Sequence, residues 1–129
     1  MANQLGSFTI ENKTKGTITF VTGQHIASGH PTDTLTVSSL AAGDTTGKQA
    51  FETDTHSRDL WEVSFVNSDG ELRTGHKFCG YEESDGNANV IILLQDDDFT
   101  IMPPVSSSCP DASYDQTAVD SRSKAERSP

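Results

Sequence analysis

Four histidines are the side chains best suited to bind a metal or exchange a proton near neutral pH: His25, His30, His56 and His76. Their spacing matches no zinc motif, so we predict no metal site. The ordinary interpretation places His25, His30 and His56 in loops and makes His76 a partly buried strand residue. His25 and His30 share one long predicted loop, residues 22–34, in which Gly23, Gly29 and Pro31 argue against a regular helix. Both histidines are candidate ligand-binding residues.

The sequence lacks the local motifs of the common enzyme classes. It contains no Gly-x-Ser-x-Gly turn, no glycine-rich phosphate loop, no His-Glu-x-x-His motif and no dinucleotide fingerprint. We therefore predict a protein with no catalytic residues and no cofactor. The alternative is an enzyme whose pocket combines His76, His25 or His56 with carboxylates, and such a pocket should contain a strongly shifted pKa.

Acidic residues dominate the charge. The formal net charge is −10, from 19 acidic and 9 basic residues, which argues against nucleic acid as a partner. Neutral, zwitterionic or cationic partners are favoured instead. Two acidic clusters, residues 82–85 and 96–98, flank an apolar run and could supply oxygen ligands to calcium. We favour two solvated turns, because adjacent side chains on a strand point in opposite directions.

The two cysteines, Cys79 and Cys109, stand 30 residues apart without a Cys-x-x-Cys pattern. The first residues show no secretory signal, and no apolar run is long enough to span a membrane. We therefore expect a cytoplasmic protein with free thiols. If the chain is instead exported without a leader, or trimmed of one, a single disulfide would tie the tail to the domain.

Period-two alternation of apolar and polar residues predicts strands along most of the chain. Residues 7–11 place Phe8 and Ile10 on one face, and residues 17–21 repeat the pattern with Ile18 and Phe20. The polar residues 12–16 between these runs are predicted to form a hairpin loop. Weaker strands are predicted at residues 35–37 and around Phe51.

A second hairpin is predicted over residues 60–78, with its turn at Asp69-Gly70. A loop of two or four residues would put Trp61, Val63 and Phe65 on one buried face with the following residues of the next strand: Leu72, Thr74, His76 and Phe78. Trp61 is then a core residue, and the opposite face, with Glu62, Ser64, Arg73 and Lys77, is predicted to be in solvent. The aromatic residues expected at the surface, available for stacking or membrane insertion, are Tyr81 and Tyr114.

These elements predict an all-β fold, an antiparallel β-sandwich of two sheets in residues 1–102. The apolar run at residues 90–94 is expected to be a central strand covered on both faces, or one at a sheet junction. From Pro103 the composition changes to Ser, Pro and charged residues, so we predict a disordered tail in residues 103–129.

Some features of residues 5–102 are shared with one known family. They are a short acidic chain without a signal, an early strand Ser7-Phe8-Thr9-Ile10-Glu11-Asn12, a glycine-punctuated middle and a Trp-containing strand before a hairpin. In these features the chain resembles the aegerolysin superfamily and its PUD-type relatives. The resemblance implies a single β-sandwich that binds membrane lipid head groups, in some members with a larger pore-forming partner, or, in the PUD-type branch, a sandwich with no established ligand. Aegerolysins typically present several Trp and Tyr residues, whereas this chain has one Trp, so their lipid-binding residues do not transfer.

Three functions follow as hypotheses. The first is a nonenzymatic binding module that recognises membrane lipid head groups, with Tyr81, His25 and His30 as candidate ligand-binding residues. The second is a lectin-like glycan-binding or protein-interaction module, because β-sandwiches with long loops host such sites. The third is the enzyme described above. Threonine-rich edge strands also allow a homodimer.

Overall fold

The computed structural model describes residues 4–27, 29–53, 59–80, 89–103 and 109–115. Within these ranges the chain forms strands and no helix, so the all-β prediction is confirmed. The strands are β1 Gln4–Asn12, β2 Ile18–Ala27, β3 Asp33–Leu40, β4 Gln49–Thr53, β5 Asp59–Val66, β6 Leu72–Phe78, β7 Asn89–Leu94, β8 Asp98–Met102 and β9 Ala112–Ser113.

Two sheets pack face to face as the predicted sandwich. One has the strand order β4-β1-β7-β8-β9 and the other the order β3-β2-β5-β6. The pairing is mostly antiparallel, but β1 and β7 run parallel. β7 is central, as expected, yet only one of its faces is fully covered: Val90, Ile92 and Leu94 are buried, while Ile91 and Leu93 are half-buried.

The link between β1 and β2 corrects the first predicted hairpin, because the two strands belong to different sheets. Asn12 is fully buried at the start of this crossover. Its side-chain amide donates to the carbonyl oxygens of Gly16, at 3.0 Å, and Leu40, at 2.8 Å, and its side-chain oxygen accepts from Thr14. A buried side chain with these partners stabilises a turn that passes from one layer to the other.

The predicted loop over residues 22–34 is mostly strand. β2 continues to Ala27 and β3 begins at Asp33. Gly23, which suggested a loop, instead lets the sheets approach, since a Cβ added there would lie 2.8 Å from Ile10 Cδ1.

A β-bulge in β2 places Phe20 on the surface, contrary to its predicted position beside buried Ile18. The register with β5 shifts between Thr19 and Thr22, so that Phe20 and Val21 together oppose one residue. Phe20 has a positive φ of 50°, and its side chain is 73% exposed, while Val21 takes the core position. A left-handed conformation at a bulky residue costs on the order of 1 kcal/mol or more.

The β5–β6 hairpin forms where predicted, but with the opposite parity. Asn67 and Glu71 bracket a three-residue loop in which Gly70 has a φ of +83°. The odd loop length pairs Trp61 with Lys77 and Val63 with Gly75. Leu72, Thr74, His76 and Phe78 therefore lie on the outer face, and Arg73 and Lys77, expected in solvent, point toward the other sheet. Inward-pointing charges on an edge strand oppose edge-to-edge aggregation.

The core between the sheets is rich in aromatic side chains. Trp61 is buried, as predicted, and packs edge-on against Phe8 and Phe51, at centroid distances of 5.5 and 5.4 Å. Gly75 leaves room for the Phe99 ring, which any Cβ at that position would meet.

Residues 109–115, which the sequence placed in the tail, pack on the sandwich. A disulfide joins Cys79 and Cys109, so the expectation of free thiols is wrong. β9 pairs with β8, and Tyr114, expected at the surface, is buried against Phe65 and Phe99. Residues 116–129 lie outside the described ranges.

Candidate functional site

His25, predicted as a loop residue that contacts a ligand, lies on the inner face of β2 and is fully buried. Its Nε2 is 2.7 Å from Asp59 Oδ1, and Thr53 Oγ1 donates to the same oxygen at 2.7 Å. The rings of Phe51 and Trp61 pack beside the imidazole, with centroids 4.3 and 4.7 Å away. The predicted loop position of His25 is therefore wrong, because the residue lies in a strand and its side chain is buried in the core. A ligand-binding role for His25 stays a prediction.

The second nitrogen of His25 makes no hydrogen bond within the described ranges. Asp33 Oδ2 lies 3.7 Å from this nitrogen, Nδ1. The buried group is therefore held mainly through Nε2, and its surroundings are those of a structural polar cluster inside an aromatic core.

The other candidates fall in different places. His30 is half-buried just after β2, where its backbone N–H donates to the Ala27 carbonyl at 3.1 Å. Tyr81, His56 and the acidic cluster at residues 82–85 lie outside the described residues. His76 is on the outer face of β6, with its side chain 58% exposed, instead of being partly buried. The structure thus does not bring His25 and His30 together in one loop site.

The outer face of the β3-β2-β5-β6 sheet carries two polar rows, which follow from the strand register. The first row crosses the sheet through Thr34, Gln24, Glu62 and His76, and the second through Thr36, Thr22, Ser64 and Thr74. Within the first row, the Gln24 amide donates to Thr34 Oγ1 at 3.1 Å. These side chains face outward because their alternating neighbours fill the core.

A groove of about 220 Å³ opens where the polar rows cross β2, β5 and β6. Hydroxyl, amide, carboxylate and imidazole groups line it, together with Val63 and Gly75 of the inner-face set. The lining residues are Thr22, Gln24, Glu62, Val63, Ser64, Thr74, Gly75, His76 and Asp115. The lining includes no Lys or Arg, so the groove is acidic, and His76 is its basic side chain.

The segment that carries Asp115 is fixed to the sandwich at three points. The disulfide holds Cys109, the Tyr114 hydroxyl donates to the Gln95 carbonyl at 2.6 Å, and the Asp115 N–H donates to the Thr74 carbonyl at 2.6 Å. Burial raises the pKa of Tyr114, so the phenol remains neutral and a donor.

With its backbone fixed, Asp115 extends one wall of the groove along β6. Its carboxylate accepts a hydrogen bond from Thr74 Oγ1 at 3.4 Å and lies 3.6 Å from His76 Nδ1.

Apolar side chains border the polar rows at both ends. Ile26, Leu60 and Phe78 form a row beyond Gln24, Glu62 and His76. At the other end, Val66 pairs with Leu72, and Phe20 emerges from the bulge two residues before Thr22. Phe78 is 46% exposed, so an aromatic ring is accessible at each end of the polar region.

Most groove residues were missed because they are spread over four segments of the sequence. Glu62 and Ser64 were recognised only as solvent-facing, and His76 and Thr74 were assigned to the core. The polar alternation of β2, β5 and β6 was visible. Joining it into one site required the strand order and an odd hairpin loop, neither of which the alternation specifies.

Within the described ranges, no three His, Cys, Asp or Glu side chains come close enough to hold a metal ion. No helix in that part of the chain is long and apolar enough to cross a membrane. No protein-family model matches the chain, and a search of the curated proteins gives no match.

Proposed function

We propose that this protein is a non-catalytic binding module that recognises a neutral or amine-bearing glycan on the outer face of its four-stranded sheet. The observation that carries the proposal is the hydrogen-bonding groove across β2, β5 and β6. Ser, Thr and Gln side chains both donate and accept hydrogen bonds, and carboxylates accept them. Sugar hydroxyls do both as well, so the lining matches a polyhydroxylated ligand.

The charge of the groove narrows the ligand class. Glu62 and Asp115 disfavour sulfated, phosphorylated or uronic-acid glycans, because the lining offers no Lys or Arg to pair with an anion. The same argument weighs against a lipid head group held through its phosphate. Recognition of membrane lipids, which the resemblance to aegerolysins implies, stays a prediction.

The test is an array of neutral, amino and acidic glycans, run beside cosedimentation with liposomes of sphingomyelin, ceramide phosphoethanolamine, phosphatidylcholine and sterol. We expect binding to neutral or amino glycans. Glu62→Gln and His76→Ala should each lower the affinity about five- to thirtyfold, as expected when one hydrogen bond to a charged or polar partner is lost.

The matched control is Asp97→Asn, which also removes one exposed negative charge but lies in the turn between β7 and β8, outside the groove. It should bind as the wild type does. Wild-type affinity in both groove variants, or no binding to any glycan, would refute the proposal. Selective pelleting with one lipid mixture and no glycan binding would support lipid recognition instead.

A further inference from the structure

The groove is too small to hold a typical small-molecule ligand by itself. Its volume is about 220 Å³, below the range of roughly 300–1,000 Å³ common for such sites. If it binds glycan, as proposed above, it encloses only part of the molecule, and the rest must lie along the sheet surface on one or both sides. What borders the groove therefore determines the length of glycan that binds.

We infer that the site takes a linear, neutral oligosaccharide that lies obliquely across the sheet and stacks on Phe78 at one end and Phe20 at the other. This inference rests on the proposed glycan-binding function. It adds the substrate class and two specificity-determining residues outside the groove.

Phe20 is the more unusual of the two residues. A bulge that turns a large aromatic side chain into solvent and holds it at a φ of 50° opposes both hydrophobic burial and backbone preference. Bulges recur next to functional sites, where they re-aim a side chain, and strained residues cluster at binding sites. An exposed aromatic ring next to a polar groove is suited to stack on the apolar face of a sugar.

Phe78 borders the groove directly. It follows His76 by two residues on the outer face of β6 and pairs with Leu60. The adjacent Cys79 is buried and bonded to Cys109, which fixes the backbone at this end of the strand. The ring is thus presented from a rigid position, which lowers the entropic cost of binding.

The positions of the two rings set the length of the proposed ligand. Phe78 lies one row beyond His76 and Phe20 one row beyond Thr22, on strands separated by β5. With about 6.6 Å between rows and about 4.8 Å between strands, the Cα atoms of Phe20 and Phe78 are roughly 20 Å apart. Only an oligosaccharide of several units spans that distance, with its central unit in the groove.

The experiment measures affinity against chain length. Cello-, manno- and chito-oligosaccharides of two to six units are titrated into the 129-residue chain by calorimetry. Affinity for at least one series should rise at least tenfold from two to six units. Phe20→Ala and Phe78→Ala should each reduce the affinity for the hexasaccharide about three- to tenfold, which is the usual contribution of one aromatic contact to binding. The disaccharide affinity should not change.

Two further variants separate stacking from folding. Phe78→Leu keeps apolar bulk at the end of β6 and should retain the fold while losing hexasaccharide affinity. Leu5→Ala shortens another exposed apolar side chain, which lies on the opposite sheet. It should change neither the disaccharide affinity nor the hexasaccharide affinity.

Equal affinity for two and six units, or wild-type hexasaccharide binding by both alanine variants, would overturn this inference and leave a short-glycan site standing. Absence of binding by every series, together with a negative glycan array, would overturn both this inference and the proposed function.

Discussion

Two histidine–aspartate pairs lie on opposite faces of the same four-stranded sheet, and they differ in how far they are buried. On the inner face, His25 Nε2 is 2.7 Å from Asp59, and both side chains are fully buried. On the outer face, His76 Nδ1 is 3.6 Å from Asp115, with side chains 58% and 36% exposed. The residue types are the same, so the surroundings decide the role of each pair.

Burial makes the inner pair part of the fold. Polar groups removed from water lose hydration, and only well-formed hydrogen bonds offset that cost. The outer pair remains hydrated, and an exposed polar pair of this kind contributes at most about 1 kcal/mol to stability. Its groups can therefore exchange water for a ligand at little cost to stability. The inner face stabilises the sandwich, and the outer face carries the proposed binding site.

The largest effect is expected at the inner pair. His25→Ala leaves a cavity beside Phe51 and Trp61 and removes the imidazole from a buried carboxylate. We expect a loss of about 3–5 kcal/mol in the free energy of unfolding, as for other broken buried pairs. Urea denaturation followed by Trp61 fluorescence measures it. A loss below about 1 kcal/mol would show that the cluster does not hold the sheets together.

Removal of the disulfide should give the second-largest loss in the free energy of unfolding. The bond between Cys79 and Cys109 closes a loop with a sequence separation of 30. A disulfide that closes a loop of that length stabilises the folded state by about 2–4 kcal/mol, because it restricts the unfolded chain. The double variant Cys79→Ser/Cys109→Ser should lose that amount in urea denaturation. It should also weaken glycan binding, because residues 109–115 carry Asp115 into the groove. Unchanged binding in a destabilised variant would mean that β9 and Tyr114 suffice to position Asp115.

Tyr114 gives a smaller effect that depends on pH. Tyr114→Phe loses the hydrogen bond to the Gln95 carbonyl, about 1 kcal/mol near pH 7. Burial raises the pKa of Tyr114 above its ordinary value of 10.0. Between that value and the raised pKa the unfolded chain releases the proton and the folded chain keeps it, so this stabilisation is present below pH 10 and declines above it.

The stability difference between wild type and Tyr114→Phe should therefore shrink as the pH rises from 9 to 11. Urea denaturation of both proteins at each pH measures it, and charges common to the two proteins cancel in the comparison. A constant difference across that range would show that the phenol titrates alike in the folded and unfolded states.

The difference between a buried and an exposed face also determines which parts of the fold the sequence could predict. Alternation identified most of the strands, the core position of Trp61 and the all-β fold, because a half-buried strand must alternate. It missed the second half of β2 and the short strand β9. It could not show that residues 67–71 form an odd loop, since the same residues suit loops of either parity. Nor could it show that β1 pairs with β7, about 80 residues away along the chain.

The sites were harder to predict because they depend on tertiary structure. His25 seemed to lie in a loop because Gly23 and Gly29 punctuate its surroundings, yet Gly23 is small so that Ile10 can approach it from the other sheet. Phe20 alternates with Ile18 in the sequence, and only the bulge opposite Phe65 turns it outward. The groove residues meet only after β2, β5 and β6 are neighbours.

The smallest effect on stability is expected at the outer pair, His76 and Asp115. A substitution there tests most directly whether the inner face stabilises the fold while the outer face does not. His76→Ala removes an exposed side chain whose carboxylate neighbour stays hydrated, so the free energy of unfolding should change by no more than about 0.5 kcal/mol. Measured in the same urea experiment as His25→Ala, it provides the matched comparison of one imidazole removed from each face. A loss above about 2 kcal/mol would mean that His76 and Asp115 clamp the C-terminal segment onto β6. The groove would then be part of the scaffold, whereas unchanged stability with weakened glycan binding would assign this face to recognition.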